Sequence, residues 1–230
     1  MRPAVFLNGR FLTQALTGVQ RFSSEITTAI DQLVAAGEWP ETVVLAPRSG
    51  FSGNGRPPGD YLRLKLKETG RTRGHLWEQI ELPAAARSGI LVNLGNTAPM
   101  LAGCRQIVVI HDAGVFDTPE SYSLRFRAWY KALQRILVRA GAHIVTVSNF
   151  SGERIAARLG LDPASITVVN EGADHMLRVA PDPSVLDRHQ LRPRQYAVVV
   201  GSRVAHKNLT ALNEAATVLQ RRGFTVAVAG

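Results

Sequence analysis

His111 and Asp112 are the residues best placed to do chemistry, because they end a run of four β-branched residues, Ile107-Val-Val-Ile110. Such a run buries apolar surface on both faces and predicts a central strand of a parallel sheet. In open α/β sheets, ligands gather in the crevice outside the carboxyl ends of the strands, and a titratable pair placed there is a candidate site. A second reading fits the same residues: Asp112 caps the helix that follows, beside a core histidine. Ser148 divides in the same way, since it closes the run His143-Ile-Val-Thr-Val-Ser148 and stands where a helix N-cap is expected.

The elements that must position these residues alternate along the chain. Ala4–Leu7 reads as a first strand, followed by a loop through Thr17-Gly18. Val19–Ala36 has helical spacing and stops at Gly37. Thr42–Ala46 is a second strand, Pro47–Asp60 a loop rich in Gly, Pro and Ser, and Tyr61–Lys67 an exposed or edge strand. Leu76–Ala86 is helical, with Pro83 expected to bend or end it. Ile90–Asn93, Ile107–Ile110, His143–Ser148 and Ile166–Val169 are further strands, and Asn149–Leu159 is a short helix. From Pro181 to Pro193 the periodicity is lost, which predicts a linker. Tyr196–Val200, Leu209–Arg222 and Thr225–Ala229 then give strand, helix and strand, with Ser202–Asn208 a basic loop. Strand and helix in alternation imply parallel sheets with right-handed crossovers.

Of the 230 residues 45% are hydrophobic and 20% charged, a globular composition. The net charge of +9 calls for an anionic partner, and by itself leaves nucleic acid, anionic membrane and a phosphorylated substrate open. Its distribution is more specific. Arg127, Lys131, Arg135 and Arg139 recur every fourth residue, opposite an arc of Phe126, Trp129, Tyr130, Leu133, Ile136, Leu137 and Ala140. That basic face is either solvated or a contact with anionic lipid. The lone Cys104 fits a reducing compartment, and neither a signal-peptide core nor a bilayer-length apolar stretch is seen, so a cytoplasmic location is expected. No spacing among the 6 histidines and Cys104 suggests a metal site.

Five segments in order, Thr17–Phe22, Val109–Asp112, Thr146–Ser151, Val169–Asp174 and Val200–Leu209, resemble the retaining GT-B glycosyltransferases of family four. The likeness is greatest to the bacterial branch that builds polysaccharides, often from nucleotide-mannose or related donors. It implies an α/β fold of GT-B type, with a Rossmann-like acceptor-side domain over residues 1–175, a linker over 176–194, and the start of a nucleotide-sugar-binding domain over 195–230. It also implies transfer of a hexose, by analogy mannose, from a nucleotide diphosphate sugar to a glycan or lipid-linked acceptor with retention. Neither metal nor cofactor is needed where basic side chains meet the diphosphate charge.

By the same resemblance His111 lines the donor sugar and polarises the reacting centre, while Lys207, Arg203 and Gly18 contact the donor. Thr17, Asp112 and Ser148 lie on the acceptor side. Two departures stand out: Ser202 replaces an arginine common in relatives, and Glu171-Gly172 replaces the usual asparagine-glycine, which leaves a donor contact from that turn open. The family's paired glutamates lie beyond Gly230, so the chain is expected to be truncated and inactive alone. The expected partners are a nucleotide sugar, the acceptor and, at the basic face, the inner surface of a membrane, with no nucleic acid. A non-catalytic sugar- or nucleotide-binding fragment and a GT-B sugar epimerase are the alternatives.

Overall fold

The computed structural model describes residues 3–48, 61–201 and 211–229. Its strands are β1 (Ala4–Asn8), β2 (Thr42–Pro47), β3 (Lys65–Thr69), β4 (Gly89–Asn93), β5 (Gln106–Val109), β6 (His143–Thr146) and β7 (Thr167–Val168). They form one parallel sheet of 7 strands in the order β3-β2-β1-β4-β5-β6-β7. Helix α1 (Gly18–Ala35) joins β1 to β2, α2 (Gly74–Ala85) joins β3 to β4, and α3 (Gly114–Asp117) and α4 (Leu124–Arg139) lie between β5 and β6. Helix α5 (Asn149–Leu159) joins β6 to β7.

The strand order fixes which face each helix covers. A right-handed crossover that steps one way along the sheet lays its helix on one face, and a crossover stepping the other way lays it on the opposite face. From β1 the chain steps outward to β2 and β3, then returns past β1 to β4 and runs on to β7. Side chains follow. Val5, Leu7, Val44, Val92 and Val109 pack with Phe22 and Ile30 of α1. Leu45 and Leu91 pack with Trp77 and Leu82 of α2, while Val108, Ile110 and Ile144 pack with Leu133, Leu137 and Ile155 of α4 and α5. Successive strand residues therefore alternate between the two helix layers, which is why these strands are apolar throughout.

Contacts divide the chain into two units. The larger comprises the described residues up to Asp117 and Arg125–Gly172; the smaller comprises Thr118–Leu124 and the described residues from Ala173 on. The smaller unit holds α6 (Asp174–Leu177), α7 (Ser184–Arg188), β8 (Tyr196–Val200), α8 (Leu212–Arg221) and β9 (Thr225–Ala229), with β8 and β9 paired in parallel. Val198, Val200 and Val228 are exposed there.

Several boundaries differ from the sequence reading for identifiable reasons. The edge strand is Lys65–Thr69, not Tyr61–Lys67, because Asp31 on α1 holds the chain just before it through the backbone N–H groups of Leu62, Arg63 and Leu64 at 2.6, 2.8 and 2.8 Å. Pro83 does not end α2, which continues to Ala85. The stretch read as a linker carries α7, whose start is fixed by Asp182 accepting from the Ser184 backbone N–H at 3.0 Å.

Candidate functional site

All seven strands run the same way, so their carboxyl ends share one edge of the sheet. The chain reverses its stepping direction between β1 and β4, and Asn8 and Asn93, the last residues of those strands, face each other there. The Asn8 amide donates to Asn93 Oδ1 at 3.0 Å and to Glu78 Oε1 of α2 at 2.8 Å. Gly9 then lets the chain turn tightly: a Cβ there would come within 2.7 Å of the Leu45 carbonyl oxygen. The turn brings Arg10 inward, with Nε 3.4 Å from Glu78 Oε1 and Nη2 donating to Thr97 Oγ1 at 3.1 Å.

Glu78 and Arg10 are 1% and 8% exposed, a buried charge pair. Burial pushes the Glu78 carboxyl up, but the contacts from His75, Arg10, Asn8 and Thr97 outweigh it and hold the carboxyl below the usual glutamate range. Glu78 is therefore an anion with its lone pairs occupied, and its role is to hold Arg10, Asn8 and Thr97 in place. Beside it is a cavity of about 20 Å³ lined by Arg10, Gln14, Gln20, Leu94 and Thr97.

Leu94 links this cavity to the histidine. His111 is 7% exposed, and its Nε2 lies 3.0 Å from the Leu94 carbonyl oxygen. A carbonyl only accepts, so Nε2 carries a proton. Nδ1 faces Glu171 Oε1 at 3.3 Å. The His111 backbone N–H donates to Asn96 Oδ1 at 2.8 Å, and the ring meets Phe22 of α1 edge-on with centroids 4.8 Å apart. The imidazole is thus held by three ring contacts and the backbone by a fourth, with Nδ1 the nitrogen turned toward the half-exposed carboxylate.

The other candidates are less concentrated. Asp112 is exposed and accepts from the Gly114 N–H, the first amide of α3, at 2.6 Å. Ser148 accepts from the Ser151 N–H at 3.1 Å and caps α5. Ser148 is therefore a helix cap and Asp112 the anchor of a turn just ahead of α3, and neither is hydrogen-bonded to the His111 ring among the described residues. Thr17 and Gly18 open α1 and are exposed; the Thr17 hydroxyl donates to Gln20 Oε1, whose amide donates in turn to Gln14 at 3.1 Å. A Cβ at Gly18 meets nothing within 4 Å, so no protein group crowds that turn. Lys207 and Arg203 lie outside the described residues.

The basic face of α4 departs from the simple amphipathic picture. Lys131 Nζ and Arg135 Cζ stand 5.1 and 5.6 Å from the centre of the Phe116 ring, so two of the four cations rest on an aromatic face. Phe126 and Ile136, expected on the buried arc, are exposed, whereas Gln134 is buried. Among the described residues no group of three or more His, Cys, Asp or Glu side chains could hold a metal ion. No helix among them is long and apolar enough to cross a membrane.

Residues 31–176 match the family described as Glycosyltransferase Family 4. The chain belongs to that family. Among solved structures, the chain is similar over its whole length to Anabaena Alr3699/HepE in complex with UDP, with a TM-score of 0.55, 13% identity and 70% of that protein covered. It is similar also to a glycosyltransferase from Rickettsia africae ESF-5, with a TM-score of 0.49, 11% identity and 69% of that chain covered. At 13% identity the likeness to the Anabaena structure concerns the fold, and it agrees with the α/β parallel sheet expected from the sequence. No curated protein matches. The family segment contains Glu78, Thr97, His111, Ser148 and Glu171, while Thr17, Gly18 and Arg10 precede it. This glycosyltransferase family 4 chain therefore carries two side chains at its site that the sequence did not single out, Arg10 and Glu78. Glu171, already noted as a departure from the family pattern, now stands against His111.

Proposed function

We propose that this family 4 glycosyltransferase chain transfers a hexose, by family analogy mannose, from a nucleotide diphosphate sugar to a glycan or lipid-linked acceptor with retention of configuration. The observation that carries the reading is the clamped His111 at the carboxyl edge of the sheet, with one ring nitrogen committed to Leu94 and the other directed at a carboxylate. A histidine fixed in this way polarises and orients a sugar without being displaced by it. The UDP in the Anabaena structure supports a nucleotide on the donor side. Lys207 and Arg203 are assigned to the diphosphate, Gly18 to the donor at the open start of α1, and Thr17, Asp112 and Ser148 to the acceptor side. Residues 1–175 form the acceptor-side domain in this reading, and 195–230 belong to the donor side.

Transfer assayed by mass spectrometry from UDP- and GDP-hexoses tests it. His111→Ala should lower turnover by about 10² to 10³ with the melting temperature unchanged. Lys207→Ala should weaken nucleoside diphosphate binding by roughly 1.5 to 3 kcal/mol in calorimetry. A loss of turnover that merely tracks lost stability would remove His111 from the chemistry, and a free epimerised nucleotide sugar as product would replace transfer by epimerisation. The basic face of α4 is assigned to anionic membrane; vesicle sedimentation that persists when Arg127, Lys131, Arg135 and Arg139 are all changed to Gln would end that assignment.

A further inference from the structure

The pairing of β4 with β5 contains one irregularity, and it reaches the site. Leu91 lies opposite Gln106 and Asn93 opposite Val108, and the Leu91 N–H donates to the Arg105 carbonyl at 3.0 Å. Every second residue of β4 therefore bridges β5, donating to one carbonyl and accepting from the N–H two residues further on. Carried on unbroken, that register would give the next rung to Gly95, with its N–H on the Val109 carbonyl and its own carbonyl on the His111 N–H. Asn96 takes the rung instead. Its N–H donates to the Val109 carbonyl at 2.9 Å, and its side-chain Oδ1, in place of a main-chain carbonyl, accepts from the His111 N–H at 2.8 Å. One extra residue thus precedes the rung, and a side chain completes it.

The extra residue changes what holds His111. Gly95 is displaced from the ladder, its carbonyl accepting from the Thr97 N–H at 2.7 Å, while the Leu94 carbonyl accepts from His111 Nε2 at 3.0 Å. One turn, Leu94–Thr97, therefore grips the histidine twice, by main chain and by ring. On the other edge Ile110 is fixed to β6: its N–H donates to the Val145 carbonyl at 2.9 Å, and its carbonyl accepts from Thr146 Oγ1 at 2.7 Å. The turn also selects its residue. Asn96 has a φ of 59°, in the left-handed region that asparagine and aspartate tolerate better than other residues with a β-carbon. Glycine would suit the backbone but supplies no oxygen. We infer that Asn96 is a positioning residue: by closing the last rung between β4 and β5 with its side chain, it sets His111 where the Leu94 carbonyl holds Nε2 and Nδ1 turns to Glu171. The value of that position for turnover rests on the reading of His111 as the group that acts on the sugar; the rung itself does not.

The test compares Asn96→Gly, which keeps the turn and removes the oxygen, with Asn96→Asp, which keeps both, in the isotopically labelled 230-residue chain. In the parent, a scalar coupling across the hydrogen bond should connect the His111 amide nitrogen with the Asn96 side-chain carbonyl carbon, and the His111 ring N–H should give a signal protected from solvent exchange. Asn96→Asp should retain the ring signal and Asn96→Gly should lose it. Turnover of nucleotide sugar should fall about tenfold in Asn96→Gly at unchanged KM, the effect of about one hydrogen bond, and should recover in Asn96→Asp. The assignment is overturned by a missing coupling in the parent, by a ring signal that survives in Asn96→Gly, or by turnover that is unchanged in Asn96→Gly or lost equally in both variants. The coupling is measured on the parent, so it decides even if Asn96→Gly does not fold. A parent that shows the coupling and the protected ring signal but transfers no sugar would remove the transferase reading and leave the placement of the ring standing.

Discussion

Glu171 is the residue whose part in the site depends most on the fold, since its only link to His111 is through space. The carboxylate is 52% exposed, so its contact with Nδ1 is screened by solvent and contributes little to stability. Its effect should be felt where His111 acts. Glu171→Gln keeps the shape and removes the charge, so the expected outcome is a turnover loss of about tenfold at unchanged KM and melting temperature, the difference between a charge-assisted and a neutral contact. An equal change in KM would point to ground-state sugar binding instead. The sequence could not disclose this pairing: the turn reads as a departure from the family's asparagine-glycine, and 60 residues separate it from His111. Arg10 and Glu78 were hidden for a related reason. Each is an ordinary charged residue in its own segment, and only the reversal of the sheet between β1 and β4 brings them together.

At the level of elements the runs of β-branched residues were readable, and so was the Ser148 cap, because both are local signals. What escaped notice was packing between elements. Helix α4 looks from its own spacing like a basic stripe over an apolar arc, yet its partner Phe116 belongs to a different helix, α3, and turns two of the cations into ring contacts. Their energy can be isolated by a double-mutant cycle. Phe116→Leu should cost about 1 to 2 kcal/mol in urea unfolding, and Lys131→Gln with Arg135→Gln should cost less in the Phe116→Leu background than in the parent. Strictly additive losses would mean that the three side chains are merely adjacent. The edge strand β3 is a second case: alternation alone placed it four residues early, and the Asp31 clamp sets where it begins.

For the molecule as a whole, acid should be the weak direction. Burial pushes the Asp31 carboxyl up, but the amides of Leu64, Arg63 and Leu62 prevail and hold it below the ordinary aspartate range; Glu78 is lowered in the same sense. A carboxyl whose folded pKa lies below its unfolded value adds stability that is fully present above the unfolded value, near 4, and is lost as pH falls through the folded one. Urea midpoints should therefore decline steadily from about pH 5 downward, and Asp31→Asn should flatten that decline while costing roughly 2 to 3 kcal/mol at neutral pH. A midpoint independent of pH over that range in the parent would contradict the assignment. The same architecture bears on how the protein is made. β1 leaves the ribosome ahead of both its neighbours, and β2 can cover one of its edges early, through α1. Its other edge must wait for β4, since Val5 pairs with Ile90. Until β4 has been synthesised, the nascent chain carries the apolar strand Ala4–Asn8 with an open row of amides and carbonyls, an invitation to mispairing that a slow pause in translation before β4 would lengthen.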